Sequence, residues 1–385
     1  MKTIVYIGGD LPDKDASALR IMANAKALRE YGYNVVLVGF NIDNNKHEQK
    51  CFEGLESYLL PYPNSFRSWL DDLISIKFYV DIINKQKDVI AVICYNFHAI
   101  PLLRLINYGK RNGIKVLADC TEWHTVFHLH GIKKIVKWLD IQARIKLIQF
   151  RTDGNIVISK YFESYYEKVK TIVVPPLIDK KADKWKPVDS NDSDAKTIKM
   201  VYAGKMGIGK DQLSDCIAAL YNLRQRSFRL DIVGISLEEY LAACPDHSRM
   251  IEELHDKILF HGRVEHAKAV DFVKRADFSI LIREHNRKND SGFPTKFPES
   301  VTCGTPVIAT EFSDIKDYIV QYKLGVIVEN IGQVETAFLN ALSMDRTQID
   351  TLKDSCRKND CFDYRSYVKP LGDFITDIVG GECHE

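Results

Sequence analysis

The 385-residue sequence has no long apolar run and no strong excess of charge of either sign. A membrane-spanning helix needs about 20 apolar residues in succession, so no span is predicted. The formal net charge of +1 provides no overall field that would attract nucleic acid. No signal peptide is predicted, because the short run Thr3–Gly8 leads directly into a glycine loop. We therefore expect a cytoplasmic protein, in peripheral contact with the inner face of a membrane at most.

Metal-binding cysteine pairs are also lacking. The nine cysteines form no Cys-x-x-Cys motif, which excludes a zinc knuckle of the usual spacing. An odd number of scattered cysteines indicates reduced, mostly buried thiols. Two Asp-x-Asp triplets, at 13–15 and 192–194, offer carboxylates to a divalent ion. The first lies in a predicted loop and the second in a polar segment, and we expect no metal at either.

What is present is a globular composition with an uneven division of charge. Residues 1–180 hold 25 Lys and Arg against 19 Asp and Glu, whereas the remainder holds 28 against 33. A basic half and an acidic half predict two domains with different surroundings. The segment 180–196 is rich in Lys, Asp and Ser and contains a proline, which predicts the linker between them.

Short apolar runs alternate with helical periodicity along the chain. Thr3–Gly8, a helical pattern and a second run at Asn34–Phe40 form a β-α-β unit, which predicts a parallel sheet. A second series begins at Lys199–Ala203. The sequence therefore predicts an α/β fold with two Rossmann-like, doubly wound domains, at 1–182 and 197–363, that face each other across a cleft. Ligands of such sheets bind at the carboxyl ends of the strands.

A glycine-rich loop follows the first strand of the second series. It carries three glycines and two lysines, Gly204, Gly207, Gly209, Lys205 and Lys210. The glycines let backbone N–H groups approach a ligand and the lysines supply positive charge, so a diphosphate is the natural partner. The spacing is not that of a Walker loop. A solvated turn with surface lysines is an equally supported alternative.

The segment 291–306, SGFPTKFPESVTCGTP, begins a short predicted helix. The partial positive charge of a helix N-terminus and the full charge of Lys296 favour a phosphate. Glu299 is suited to accept hydrogen bonds from two ribose hydroxyls, or it only compensates the helix dipole. The predicted ligand-binding residues of this segment are Ser291, Gly292, Phe293, Pro294, Thr295, Lys296 and Glu299.

This segment resembles the nucleotide-sugar motif of retaining glycosyltransferases of family 4, within glycosyl transferases group 1. The resemblance extends over most of the chain and implies the GT-B fold of two facing Rossmann-like domains. Glu299 matches the second glutamate of the motif, which holds the ribose of the donor. Ser291 stands in place of the first, which lies near the donor sugar. A branch of the family that reads G-F-P-[ST]-K-F-x-E also lacks that first glutamate.

The loop that begins at Gly204 resembles the family's Gly-Arg…Lys-Gly stretch, whose Arg and Lys bind the donor diphosphate. Lys205 replaces that Arg, Lys210 matches the Lys, and Asp211 replaces the usual glycine. Because a lysine has no guanidinium fork, the replacement at 205 keeps the charge but loses bidentate binding.

Three further features of the family match this chain. The loop with Arg263 resembles the loop whose backbone contacts the base, and Gly8 and Gly9 match a loop that approaches the diphosphate and sugar. The resemblance also implies that a terminal helix, at about 364–380, crosses back to the first domain.

Polar residues follow two predicted strands of the first domain. His98 begins a helix after one strand, and Glu122 and His124 follow another. They are suited to receive the acceptor proton or to bind acceptor hydroxyls; hydrogen-bonded loop residues are the alternative. Lys205 and Lys210 are suited to stabilise the leaving diphosphate without a metal ion. These five residues are the predicted catalytic set.

The basic, amphipathic segment 131–150 allows two interpretations. It either lies on an anionic membrane where a lipid-linked acceptor is held, or it is a core helix whose lysines face solvent. We expect the core helix, because a crossover helix is needed before the next predicted strand.

The resemblance implies a retaining, metal-independent glycosyltransferase of cell-surface polysaccharide synthesis. Its donor substrate would be a nucleoside-diphosphate sugar of the UDP or GDP type, its acceptor a glycan or a lipid-linked glycan, and it would need no cofactor. A sugar-nucleotide epimerase of the same architecture and a non-catalytic nucleotide-sugar-binding relative remain alternatives.

Overall fold

The computed structural model describes residues 1–11, 16–41, 46–126, 130–186, 188, 196–205 and 211–380. Among the predicted site residues, Lys210, Gly207 and Gly209 lie outside these ranges, as do both Asp-x-Asp triplets.

The described residues form strands β1 Thr3–Asp10, β2 Asn34–Asn41, β3 Glu48–Phe52, β4 Leu55–Pro61, β5 Val89–Tyr95, β6 Lys115–Cys120, β7 Gly154–Val157, β8 Thr171–Val173, β9 Ile198–Ala203, β10 Phe228–Val233, β11 Ile258–Phe260, β12 Phe278–Leu281, β13 Val307–Thr310 and β14 Gly325–Val328. The α-helices are α1 Ala16–Tyr31, α2 Phe66–Ile74, α3 Lys77–Lys85, α4 Ala99–Asn112, α5 Gly131–Ala143, α6 Lys160–Tyr165, α7 Leu213–Asn222, α8 Leu237–Ala243, α9 Ser248–Glu253, α10 His266–Arg275, α11 Arg287–Ser291, α12 Lys296–Thr302, α13 Ile315–Tyr322, α14 Val334–Leu342, α15 Arg346–Lys358 and α16 Val368–Val379. No helix of the described residues is long and apolar enough to cross a bilayer.

The chain divides into two compact units, Met1–Asp179 with Asp363–Glu385, and Lys180–Phe362. The expected linker therefore begins inside the second unit. Within it, Asp183–Trp185 forms a 3₁₀ turn and the indole of Trp185 is buried. Because burying an indole removes a large apolar surface from water, this part of the predicted linker packs as an element of the second unit.

The first unit is built on a sheet of order β3-β4-β2-β1-β5-β6-β7-β8. All its pairs are parallel except that of β3 with β4, so the sheet is mixed at one edge rather than fully parallel. Side chains alternate between two helical layers: Ile4 and Tyr6 pack in the cluster that holds α1 and α16, whereas Val5 and Ile7 pack with α3 and α4. Both faces are covered, as in a doubly wound domain.

Gly8 and Gly9 lie within β1, which corrects the prediction that they form a loop after it. The pairing of β1 with β2 shifts in register between Ile7 and Asp10, and the two glycines have φ angles of +119° and +73°. A Cβ atom at Gly8 would lie 2.7 Å from the carbonyl oxygen of Tyr95. The glycines therefore form an irregularity that lets the strand continue where a larger residue would not fit.

The terminal helix α16 belongs to the first unit, although the whole second unit separates it from the rest in sequence. Leu371 and Ile375 are fully buried in the cluster that contains α1. The hydroxyl groups of Tyr33 and Thr376 lie 2.7 Å apart, and Tyr31 donates a hydrogen bond to Asp373 at 2.7 Å.

The second unit has a fully parallel sheet of order β11-β10-β9-β12-β13-β14. The order in which successive strands are added reverses between β9 and β12, which are parallel neighbours in the sheet. Loops that leave two such strands diverge to opposite faces and open a crevice at the carboxyl ends. This point of the second unit is where a ligand site is expected.

A candidate donor-phosphate site

The ends of β9 and β12 bring together residues from distant parts of the chain. Gly204 directly follows β9, and a Cβ atom there would overlap the end of the Lys296 side chain, which would have to move. A Cβ at Gly234, after β10, would lie 2.6 Å from the carbonyl oxygen of Gly204. Glycine at 204 therefore leaves space for the Lys296 side chain, and glycine at 234 allows the close approach of the two backbones.

Asp211 is the centre of a buried cluster of charged groups at this position. Lys296 forms an ion pair with its Oδ2 atom, and Arg283 donates from Nε to its Oδ1 atom at 2.5 Å. The hydroxyl of Tyr202 donates to Oδ2 at 3.0 Å, and the Lys296 ammonium lies 4.7 Å from the centre of the Tyr202 ring. Two cations thus share one carboxylate, and the cluster keeps a net positive charge.

The pKa values of the cluster follow from this arrangement. Burial alone would raise the pKa of the Asp211 carboxyl, but Lys296 and Arg283 hold that pKa below its usual range. Burial lowers the pKa of the Lys296 ammonium, and Asp211 opposes this only in part. Burial and the Asp211 charge raise the pKa of Tyr202, so its hydroxyl remains a donor. The net positive charge of the cluster and the Tyr202 donor therefore favour the binding of an anion.

Glu299 lies one helical turn after Lys296 in α12. Its carboxylate is partly exposed and lies 3.5 Å from Nε2 of His266, the first residue of α10. His266 was not among the predicted site residues. Because Glu299 keeps free lone pairs beside a cationic cluster, it is suited to accept hydrogen bonds from ligand hydroxyls.

Two predicted residues of the same segment point away from the surface, which corrects their expected role. Ser291 is fully buried at the end of α11, where its hydroxyl lies 3.4 Å from the carbonyl oxygen of Lys288. Phe293 is buried against Phe297 and Phe362. Apolar packing of the aromatic ring accounts for this orientation, so neither side chain is presented to a ligand.

The neighbouring residues Gly292, Pro294 and Thr295 contribute main-chain hydrogen bonds. The carbonyl oxygen of Gly292 accepts a hydrogen bond from Ser313 at 2.5 Å. The carbonyl oxygens of Pro294 and Thr295 accept from the N–H groups of Phe297 and Glu299 at 3.1 and 3.2 Å. These bonds form the first turn of α12 and thereby fix the start of the helix that carries Lys296 and Glu299.

Lys205 and Arg263 lie outside the cluster. The side chain of Lys205 is exposed, with no partner among the described residues. Arg263 follows the edge strand β11, which β10 separates from β9, and its exposed guanidinium lies 3.4 Å from Glu239. The structure therefore does not join either side chain to Lys296.

In the first unit, His98 has carboxylates at both ring nitrogens. Nδ1 lies 2.9 Å from Asp140 and Nε2 lies 3.3 Å from Asp72. Burial alone would lower the pKa of His98, but the bonds to Asp140 and Asp72 raise it above the usual value. The protonated imidazole is thus favoured and both ring nitrogens face carboxylates, so these surroundings do not support the predicted role of His98 as a proton acceptor.

Glu122 and His124 lie together in the loop after β6. The Nδ1 atom of His124 is 3.0 Å from Oε1 of Glu122, and both side chains are about one-third exposed. Burial lowers the pKa of His124, and Glu122 opposes this only in part. A neutral imidazole oriented by a carboxylate is suited to accept a proton from a hydroxyl group.

Helix α5 corrects the expectation of a buried crossover helix. Only Ile141 is buried within it, whereas Ile132, Ile135, Trp138 and Leu139 are between 49% and 69% exposed. The following turn, Arg144–Ile148, is the part that packs into the unit. The apolar face of the first half of this segment is therefore turned to solvent.

Comparison with known structures identifies the architecture. A sucrose-phosphate synthase from Thermosynechococcus elongatus superposes with a TM-score of 0.70 at 14% identity, over 99% of this chain and 100% of that one. The catalytic domain of starch synthase IV from Arabidopsis thaliana, bound to ADP and acarbose, gives 0.71 at 11% identity over 98% and 99%. HepE from Anabaena, in complex with UDP and glucose, gives 0.62 at 12% identity over 99% and 100%. The protein thus has a GT-B fold, which confirms the predicted fold class.

The sequence of the second unit agrees with this class. Residues 197–344 match the family model Glycosyl transferases group 1, whereas no curated protein matches the chain. The predicted resemblance to glycosyl transferases group 1 is thus confirmed for this stretch of the second unit. The narrower assignment to family 4 stays a prediction.

Proposed function

We propose that the protein is a retaining, metal-independent glycosyltransferase. It takes a sugar from a UDP- or GDP-type donor and transfers it to a glycan or lipid-linked acceptor in cell-surface polysaccharide synthesis. The observation that carries the proposal is the cationic cluster of Lys296 and Arg283 at the carboxyl ends of β9 and β12, with Glu299 one turn beyond it.

The donor side follows from charge. Glycosyl transfer leaves negative charge on the departing diphosphate, and preorganised cations at that position lower the barrier. Lys296 and Arg283 supply this charge from buried, fixed side chains, and Glu299 holds the ribose. Nucleotide binding is supported by two structures of the same fold, one bound to ADP and acarbose and one in complex with UDP and glucose. Lys205 and Lys210 stay in the proposed donor site as residues of the adjoining loop.

The acceptor side is proposed for the first unit. His124, oriented by Glu122, receives the proton of the acceptor hydroxyl. His98 is not retained in this set, because both its ring nitrogens face carboxylates.

Helix α5 supports an acceptor held at an anionic membrane surface. Ile132, Ile135 and Leu139 share one face at helical spacing and are exposed, and residues 131–146 hold five Lys and Arg against one Asp. An exposed apolar face with basic neighbours is suited to lie in the interface of an anionic leaflet. We propose the cytoplasmic face of a membrane as the place of reaction.

A panel of UDP-, GDP- and ADP-sugars in the presence of EDTA tests the proposal. Wild-type protein is expected to release free nucleoside diphosphate slowly from one class of donor. Lys296→Met is expected to lower that rate about 100-fold or more, because it removes a cation from the leaving group.

Lys316→Met is the matched control, since Lys316 is an exposed lysine of the same unit that pairs with Glu311. An epimerised donor would instead show the alternative enzyme, and binding without any turnover would show a non-catalytic relative. Loss of turnover with EDTA would contradict the metal-independent reaction.

A further inference from the structure

Two positions of the glycine-rich segment that begins at Gly204 depart from the family pattern. Lys205 replaces an Arg, and Asp211 replaces a Gly. In the structure Lys205 is exposed, whereas Asp211 is buried. Asp211 accepts a hydrogen bond from Arg283, which follows the neighbouring strand β12 and lies 72 residues away in sequence. The second departure therefore meets a third residue, Arg283, to which the sequence motif assigns no role.

We propose that Arg283 supplies the guanidinium fork that position 205 lacks, and that Asp211 is the positioning residue that directs Arg283 and Lys296 at the donor diphosphate. This inference rests on the proposed function and adds a residue and a mechanism of orientation to it.

The geometry leaves the correct edge of the guanidinium available. Asp211 engages Arg283 through Nε, and among the described residues the two terminal nitrogens of Arg283 have no hydrogen-bond partner. Two parallel N–H groups of that kind match two oxygens of a phosphate. Arg283 thus binds Asp211 through Nε and leaves its two terminal nitrogens for a ligand.

Arg283 is also held in place before any ligand binds. Its backbone N–H donates to the Thr310 hydroxyl at 2.8 Å, and that hydroxyl donates to its carbonyl oxygen at 2.6 Å. The guanidinium lies 5.4 Å from the centre of the Phe312 ring. Thr310 thus fixes the backbone of Arg283, and Asp211 and Phe312 restrain its side chain. A restrained side chain loses little entropy on binding, which favours affinity for the phosphate.

The carboxylate of Asp211 is needed because the two cations are close together. The Arg283 charge and burial both lower the pKa of Lys296, and Asp211 opposes them. Without the carboxylate, Lys296 would lose its proton more readily and Arg283 would lose its anchor. Removing this negative charge should therefore weaken the binding of an anion, the opposite of what simple charge repulsion predicts.

Calorimetric titration separates these possibilities. The probes are UDP, GDP, the matching nucleosides and inorganic pyrophosphate. Arg283→Lys is expected to weaken the diphosphate and pyrophosphate about tenfold but the nucleoside less than about twofold, since only the fork to the phosphate is lost. Asp211→Asn is expected to weaken the diphosphate as well, and to lose the remaining binding at a lower pH than wild type.

Arg229→Lys is the matched control, because Arg229 forms a two-contact pair with Asp231 on the same sheet, in β10 and outside the cluster. Tighter diphosphate binding by Asp211→Asn would overturn the inference, as would equal losses of nucleoside and diphosphate in Arg283→Lys. If Asp211→Asn does not fold, the Arg283→Lys comparison decides alone. If wild type binds a diphosphate and Arg283→Lys binds it with the same affinity, this inference is wrong but the proposed function stands. If wild type binds no diphosphate, the proposed function is wrong as well.

Discussion

At the scale of single residues, His98 is a predicted catalytic residue whose contacts in the structure are those of a structural side chain. It precedes α4, and the same Asp140 that faces its ring also accepts the N–H of Ala99 at 2.7 Å. Asp140 therefore satisfies a free donor at the helix start and the imidazolium together. Its pKa is held down, against the effect of burial, first by the hydrogen bond from His98. Asp140 thus links α5 to the start of α4 and favours the protonated form of His98.

The charged state of His98 predicts a pH-dependent stability. Its pKa is raised in the folded state, so its contribution is complete below the unfolded value of about 6.5 and is lost as pH rises through the folded pKa. His98→Gln should cost about 1 kcal/mol more in unfolding free energy at pH 6 than at pH 9. Urea unfolding of the first unit at both pH values measures this.

Asp72→Asn serves as the companion variant. It removes the carboxylate at Nε2, so the loss of stability should move to lower pH. A cost of His98→Gln that is the same at pH 6 and pH 9 would refute the charged state.

The predicted site residues that the structure brings together in the cluster around Asp211 are those whose signal is local. Gly204 and Lys296 are each surrounded by glycines, prolines or charges that mark a turn and a helix start. Arg283 carried a weaker signal, a lone charge directly after an apolar strand at the point where strand order reverses. Its partner Asp211 is 72 residues away, and periodicity does not report such pairs.

At the scale of elements, α5 has an apolar face that is exposed rather than buried. Its hydrophobic periodicity predicts an apolar face, but periodicity alone does not say whether that face meets the core or another surface. The core interpretation was wrong for residues 131–143, because the buried contacts of the segment begin at Ile141 and continue in Arg144–Ile148. Contiguous exposed apolar side chains of this kind mark an interaction surface.

Vesicle binding tests the membrane role of α5. Wild-type protein should bind vesicles of phosphatidylcholine with phosphatidylglycerol and bind pure phosphatidylcholine less, because each lysine near an anionic surface contributes about 1 kcal/mol. Ile135→Ser with Trp138→Ser should lower the partition coefficient about tenfold or more, since both side chains lose apolar area that would be buried in lipid. Co-sedimentation measures the bound fraction.

Val320→Ser is the control, as Val320 is an equally exposed apolar residue of α13 in the second unit. Unchanged binding by the α5 double variant would remove this helix from the proposed membrane contact.

Elements between residues 46 and 85 were the least predictable part of the fold. β3 is an edge strand whose residues Glu48, Gln49 and Lys50 are polar, so it lacks the apolar run that reveals buried strands. The strands of the second unit are short but nearly continuous in apolar residues, which is typical of parallel sheets buried on both faces. The first of them, predicted at Lys199–Ala203, is Ile198–Ala203 in the structure.

At the scale of the whole molecule, the main apolar clusters of the two units share no residue in the part of the chain that the structure describes. The main apolar cluster of the first unit includes buried residues of α16, a helix that follows the whole second unit in sequence. A Cβ at Gly372 would overlap the ring of Tyr31, so α16 packs directly onto α1. Folding of the first unit therefore depends on a segment at the far end of the sequence.

This dependence predicts where a defect in α16 is felt. Ile375 is fully buried in the first core, and Ile375→Ala should cost about 2–5 kcal/mol through lost contacts and a cavity. Amide hydrogen exchange should then accelerate about tenfold or more in β1, β2 and α1, while β9 to β14 keep their protection, because the second core contains no residue of α16. Ile100→Ala, at a half-exposed position of α4, should change neither set. If β9 to β14 lost protection as strongly as β1, the two cores would have to unfold together, and the division into separately stabilised units would be wrong.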